Sequence, residues 1–310
     1  MINMLKADIY KMLRMVSFRT LVIVTAAFCV LSVIFINFSV GITLEYQEKL
    51  RNGEITSSDD YTDYQDKLAA EVEDSFQRGL KVGFEAGMQS SIDVSEAQSG
   101  QKFVDMDIRY PTVLEMMAVP LNGNIMLAIF ACIFTSIFIT GEFVHGTMKN
   151  TASKGFSRAQ LYLSKLAVCI IFSLMLILVY ELAMFISASI LFDFGDIKDA
   201  KSTQYFVGTL MSLVPYIALV CCSAALGFII RSGGATAVII VFCMFGGIIT
   251  ELLSQFFRAD LSFLWLGSAL NITSQYADKG LTAIAAVIAS AVYIAASTAI
   301  GIGVFSGKDI

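Results

Sequence analysis

Six blocks of nearly uninterrupted apolar residues leave this chain few ways to fold: Thr20–Leu44, Leu121–Thr140, Leu166–Phe192, Tyr205–Ile230, Ala235–Glu251 and Leu281–Val304. A helix needs about 20 mostly apolar residues to cross roughly 30 Å of hydrocarbon. The blocks therefore predict an all-α polytopic membrane protein with six transmembrane helices. The fifth block is the shortest. The first reads as a span rather than a cleaved signal peptide, because its apolar run exceeds the roughly 7–15 residues of such a segment. Only 15% of the residues are charged and 56% are hydrophobic, whereas a soluble domain carries about a quarter charged residues.

Orientation follows from Lys and Arg, which accumulate on the cytoplasmic side of spans. With the N-terminus inside, the inner segments are 1–19, 141–165, the turn at Arg231 and the C-terminal end. They hold ten bases, among them Lys6, Lys11, Arg14, Arg19, Lys154, Arg158 and Lys165, against three acids, Asp8, Glu142 and Asp309. The flipped arrangement would put this basic face outside. The expected location is a bacterial cell membrane, with both termini cytoplasmic. The net charge of −5 comes mostly from one outer segment and does not indicate an acidic soluble partner. No basic stripe with interleaved aromatics suggests nucleic acid.

Residues 1–19 interleave Met4, Leu5, Ile9, Met12 and Leu13 with Lys6, Lys11 and Arg14. At 3.6 residues per turn this predicts an interfacial amphipathic helix, apolar face in lipid and bases near anionic headgroups. The alternative is a basic topogenic tail. The first span, 20–44, leads to an extracytoplasmic helical insertion, 45–120. There Tyr64, Leu68, Val72, Phe76 and Leu80 mark one helical face, and acids occupy the others. That acidic surface is either a solvated face or an attractor of cationic cargo. Residues 121–310 carry the five further spans. Arg231–Gly234 reads as an inner turn. Residues 256–280, with Trp265 and Tyr276, read as an outer re-entrant or interfacial segment.

Catalytic chemistry is sparse. The single histidine, His145, has no Glu in a metalloprotease frame, and there is no Walker A sequence and no nucleophile elbow. The six cysteines all fall within apolar blocks without metal-site spacing and read as small buried hydrophobes. The expectation is no enzyme, no cofactor and no metal. Glu181 is the exception to a bland apolar interior. A carboxylate in mid-span is unfavourable by a few kcal/mol and usually faces protein or a water-filled cavity. It reads either as part of a cargo path or conformational switch, or as a neutral structural contact to Tyr180 or Tyr216. Pro215 in the fourth block predicts a kink, with partner helices satisfying the freed carbonyl.

The connection between the second and third blocks is a short basic segment, GEFVHGTMKNTASKGFSRAQLYLSKL, residues 141–166. Glu142, Gly146, Thr147, Lys149, Asn150, Ser157, Arg158 and Lys165 match the pattern E-x-x-x-G-T-x-K-N, then S-R, then an aliphatic run and a Lys. That pattern resembles the loop of ABC-2 type permeases, the membrane subunits of bacterial ABC exporters, which docks on a separate ATPase. Gly155 departs from it, since many members carry proline before the S-R pair. Physically, Ser157 is placed to cap the helix entering the third span. Arg158 and Lys165 would then lie at the lipid–water boundary, and Glu142 would pair with a nearby base. Gly146–Thr147 permits a turn.

The resemblance implies a permease that works as a dimer, with a second copy or a homologous permease, in the lipid bilayer. Two cytoplasmic ABC ATPase subunits would supply the energy through residues 141–165, Lys154 included. Cargo would leave the cytoplasm or inner leaflet. The outer insertion is most similar to that of relatives in peptide-antibiotic export or immunity. An alternative within the same framework is a mechanotransmitting or sensory subunit that acts on an outer partner without moving cargo.

Overall fold

The computed structural model describes residues 2–52, 109–118, 125–146, 148, 153, 155–194, 200–244, 262–274 and 280–307. Regular structure among them is helical throughout: α1 (Ile2–Arg14), α2 (Val16–Arg51), α3 (Val113–Ala118), α4 (Ile125–Val144), α5 (Arg158–Leu191), α6 (Ala200–Ile230), α7 (Gly233–Met244), a 3₁₀ turn (Ser262–Leu264), α8 (Leu266–Ser274) and α9 (Gly280–Gly307). Five segments are long and apolar enough to cross a bilayer: Val16–Glu45, Met126–Val144, Arg158–Leu191, Val207–Ile230 and Gly280–Gly307. The chain is a helical membrane protein. Of the fifth predicted block the structure describes α7, 12 residues or about 18 Å of helix. The rest of that block, 245–251, lies outside the described residues, as does the helical series Tyr64–Leu80.

Two predicted boundaries shift. The break between the N-terminal helix and the first span falls at Met15 rather than at residue 19. The Met15 amide donates to the Met12 carbonyl at 3.1 Å, and the Arg19 amide donates to the Met15 carbonyl at 3.4 Å. Helical hydrogen bonding thus resumes at once, before the apolar run begins. At its other end α2 runs past Leu44 to Arg51. Glu45–Arg51 contains no Gly or Pro and includes the good helix formers Glu, Gln, Lys, Leu and Arg.

The chain divides into two compact bodies, Met1–Val30 with Thr112–Ile310, and Leu31–Pro111. In the second, a Cβ at Gly41 would meet the Tyr110 hydroxyl at 3.4 Å. In the first, one end of the helix bundle gathers segments that are far apart in sequence. Phe143 at the end of α4 lies 5.7 Å from Phe228 of α6 and 6.3 Å from Phe305 of α9, ring centre to ring centre. The Tyr162 ring of α5 lies 4.7 Å from that of Phe228, tilted by 47°. Arg231, whose φ of 57° closes α6, lies 5.0 Å from the Phe143 ring. The predicted turn at 231–234 joins α6 to α7 here. The alternation of Lys/Arg-rich and apolar segments anticipated this convergence of 1–19, 141–165, 231–234 and the end of α9.

Packing inside the bundle relies on small residues and hydroxyls, as expected where lipid offers helices no hydrophobic reason to associate. Ser223 of α6 donates to the Cys132 carbonyl of α4 at 3.0 Å and lies 3.3 Å from the Ser136 hydroxyl. Thr273 of α8 donates to Ser212 of α6 at 3.1 Å. Cys29, Cys132, Cys169 and Cys221 are buried thiols. α8 buries Ala269 and Ile272 against Ala283 and Ala286 of α9. The Tyr293 hydroxyl donates to the Leu264 carbonyl at 3.0 Å, about 18 Å along α9 from Phe305. The described part of 256–280 therefore packs against α6 and α9. Tyr276 lies outside the described residues.

At Gly301 the backbone of α9 passes so close to α5 that a Cβ would overlap the Tyr162 ring, whereas a Cβ at Gly303 meets nothing within 4 Å. Overpacking of this kind costs about 1–3 kcal/mol. Gly301→Ala should lower the thermal unfolding midpoint of the detergent-purified protein by several degrees, and Gly303→Ala should not. Equal midpoints for both variants would contradict the close approach.

Candidate functional site

The corner between α4 and α5 is built from local rules. α4 ends as the His145 amide donates to the Gly141 carbonyl at 3.0 Å and the Gly146 amide to the Phe143 carbonyl at 3.1 Å. Gly146 then takes φ 65°, a left-handed conformation in which glycine avoids the Cβ penalty. His145 turns its Nδ1 back on the Gly141 carbonyl at 2.7 Å and stays exposed, as a loop residue. Gly155 has φ 84°. Proline is fixed near −65° and could not adopt this conformation.

Ser157 caps α5. Its hydroxyl accepts from the Gln160 amide at 3.2 Å, and the Gln160 side chain accepts from the Ser157 amide at 3.3 Å. This reciprocal box satisfies two otherwise orphan donors. Arg158 follows and reaches across to α9, donating to the Phe305 and Ser306 carbonyls at 3.4 and 3.3 Å. A base is favourable at those carbonyls because the C-terminal end of a helix carries partial negative charge. Thr147, Lys149, Asn150 and Lys154 lie outside the described residues.

Lys165 corrects a sequence expectation. It is not at an open lipid–water boundary: its side chain is only 3% exposed. Its ammonium lies 2.5 Å from Asp8 Oδ1 of α1, 3.3 Å from Glu142 Oε1 of α4 and 5.6 Å from the Phe138 ring. Glu142, 3% exposed, also accepts from Lys11 of α1 at 2.5 Å, and Lys11 is 44% exposed. Ser164 donates to the second Asp8 oxygen at 3.3 Å. Two ammoniums and two carboxylates from three helices thus form a formally neutral cluster with its Lys11 rim in solvent. The expected partner of Glu142 is present, and it is double. In the sequence Asp8 read only as an inner-side acid, and Lys11 as a base of the interfacial helix or of a topogenic tail. Their spacing along α1, three residues apart and hence on neighbouring positions of a helix, was the available signal.

α1 also departs from expectation. Its most buried positions, Met4, Asp8 and Met12, form one stripe turned to protein, and α1 packs on α5. The apolar face predicted for lipid is therefore partly committed to the bundle.

Glu181 sits away from this corner. Its Oε2 is buried and has no hydrogen-bond partner among the described residues, and the same holds for the Thr25 hydroxyl. The Tyr180 carbonyl accepts from the Cys29 thiol at 3.5 Å. Tyr216, next to Pro215 within α6, donates to the Leu127 carbonyl at 3.4 Å. The structural reading of Glu181 as bonded to Tyr216 is thus not supported, since that hydroxyl turns to α4.

Residues 91–310 match a family described as "protein of unknown function (DUF2705)". The chain belongs to that family. No curated protein and no solved structure matches it. The family match includes Glu142 and Lys165 but begins after α1, so Asp8 and Lys11 come from outside the matched region.

Removing one partner of a buried ion pair leaves the other charge uncompensated, at a cost of about 3–5 kcal/mol. Lys165→Met leaves Asp8 and Glu142 facing each other. It should destabilise the purified protein by that amount in chemical or thermal unfolding, and Asp8→Leu combined with Lys165→Met should cost less than the two single changes added. Simple additivity in this double-mutant cycle would show that the two side chains are not coupled.

Proposed function

We propose that this chain is the membrane-spanning permease subunit of an ATP-driven ABC-2 type exporter. In this reading six spans cross a bacterial cell membrane with both termini cytoplasmic, the fifth span being completed by residues after α7. The subunit works as a dimer with a second or homologous permease, and separate cytoplasmic ATPase subunits dock at the α4–α5 corner. ATP hydrolysis belongs to those subunits and not to this chain.

The observation that carries the reading is mechanical. The α4–α5 corner is a compact helix–turn–helix whose inner side is tied to α1 by the Lys165–Asp8–Glu142–Lys11 cluster and to α9 by Arg158. Among the described residues of its outer side, Val144 is 77% exposed at the end of α4, His145 and Ser153 are exposed, and Met148 is buried. A push on this tip would be passed to four helices at once. Arg158 and Lys165 serve the inner side, so they transmit rather than dock. Val144 is the contact residue we assign to the ATPase.

The test uses the full chain co-expressed with its ATPase partner. Val144→Glu leaves the inner side of the corner intact. It should preserve folding and membrane insertion but reduce permease-stimulated ATP hydrolysis and complex recovery at least tenfold. That is the factor given by about 1.4 kcal/mol of lost docking energy. Unchanged stimulation and recovery would exclude docking at this corner.

Glu181 is proposed to belong to the cargo path or to the switch between helix arrangements, as its unpartnered oxygen supports. Glu181→Gln keeps size and removes charge. It should assemble with the ATPase normally and lose export; export within twofold of wild type would leave Glu181 a structural residue. Assembly and ATP hydrolysis without export in the wild type would favour the mechanotransmitting subunit instead.

A further inference from the structure

We propose that the seam between α2 and α5 binds the ammonium head of a cationic amphiphile that enters from the lipid, anchored on the Glu181 carboxylate with the Thr25 hydroxyl as a second acceptor. The seam is held at two levels. Phe18 of α2 lies 5.6 Å from Phe172 of α5, ring centre to ring centre. Farther along, the Cys29 thiol donates to the Tyr180 carbonyl at 3.5 Å. Glu181 follows Tyr180 directly, and its carboxylate and the Cys29 thiol interact electrostatically. Thr25 stands four residues before Cys29, on the same face of α2, and is 1% exposed.

Two oxygens in this seam lack what buried oxygens need. Glu181 Oε2 and the Thr25 hydroxyl are buried with no hydrogen-bond partner among the described residues, and such atoms are costly to leave unpaired. Neither helix brings them a cation. On α5 the nearest base is Lys165, 16 residues from Glu181 or about 24 Å of helix, and it is engaged by Asp8 and Glu142. On α2 the nearest is Arg19, ten residues before Cys29 or about 15 Å. A carboxylate at such depth is normally paired or faces water. An ammonium suits the site in charge and in hydrogen bonding. It has three donors and no acceptor, so it serves two accepting oxygens and buries no lone pair of its own.

The surroundings select an amphiphile. Glu181 is half-buried and stands at the edge of the packed face of α5. Ile177, Tyr180, Met184 and Ala188 on that face are buried, whereas Leu178, Leu182 and Phe185 are exposed. Leu178 and Phe185, three residues before Glu181 and four after it, are its neighbours on the helix surface. An apolar chain lying on these two side chains stays in hydrocarbon while its ammonium turns in to the carboxylate. A hydrophilic cation would have to leave water to reach this depth, at a large desolvation cost; an amphiphile is brought there by its own chain. The proposal deepens the reading of Glu181 as a cargo-path residue and rests on it, naming lipophilic amines as the substrate class.

The test is photolabelling of the full chain in phosphatidylcholine nanodiscs, without ATPase, by dodecylamine carrying a diazirine beside the amine and by the matching dodecanol. Mass spectrometry locates the label. The amine should label the segments around Cys29 and Glu181 well above the alcohol, and unlabelled dodecylamine should compete. Glu181→Gln should lower the amine labelling roughly tenfold and Thr25→Val about threefold, the factors of a hydrogen bond to a charged and to a neutral group. Labelling of α9 from bulk lipid should stay unchanged in both variants. Equal labelling by amine and alcohol in the wild type, or amine labelling indifferent to Glu181→Gln, would overturn the proposal. The wild-type comparison needs no substitution, so a variant that fails to fold does not shield the proposal. Selective labelling of the wild type, together with undiminished export by Glu181→Gln, would uphold the amine site and remove it from the cargo path, so the two failures are distinguishable.

Discussion

The Lys165 ammonium is the point from which the described bundle is best understood. A buried charge is tolerated only when paired, and Lys165 is paired twice, with Asp8 from α1 and Glu142 from α4. Since it stands on α5, one side chain fixes the mutual position of three helices. Such clusters are weak evidence for net stability, because desolvation offsets much of the attraction. Their contribution is geometric: any other register of α1 on α5 would leave a bare charge in a low-dielectric interior.

The rest of that end is consistent with this constraint. Phe138, the ring beside Lys165, stacks towards Phe134, which itself lies against Phe172 of α5. On the other flank Phe143, Tyr162, Phe228 and Phe305 form an aromatic joint between α4, α5, α6 and α9. Gly301 has no side chain, and that absence is what lets α9 reach Tyr162. The described part of the corner is therefore held on its inner side, while Val144 at the end of α4 is exposed.

Much of this was legible in one dimension. Blocks of 20 or more apolar residues announced helices; in four of the five helices long enough to cross a membrane they lie within a few residues of the observed limits. The S-R-A-Q run announced the cap at Ser157, because a hydroxyl followed three residues later by Gln is a local device. The positive-φ turn at Gly146 was local as well. The break at Met15 was not announced, since no glycine or proline stands there.

The sequence by itself determined the material class of the protein, its helical content, the common end at which its basic segments meet and the caps and turns of the α4–α5 corner. These follow from the bilayer and from contacts within a few residues. Only the tertiary structure decided which charges are buried. Lys165 and Lys11 are both lysines at a membrane edge, yet one is 3% and the other 44% exposed. Lys165 meets Asp8 157 residues away and Lys11 meets Glu142 131 residues away along the chain, and pairing over such distances is set by how helices pack, which no local pattern encodes.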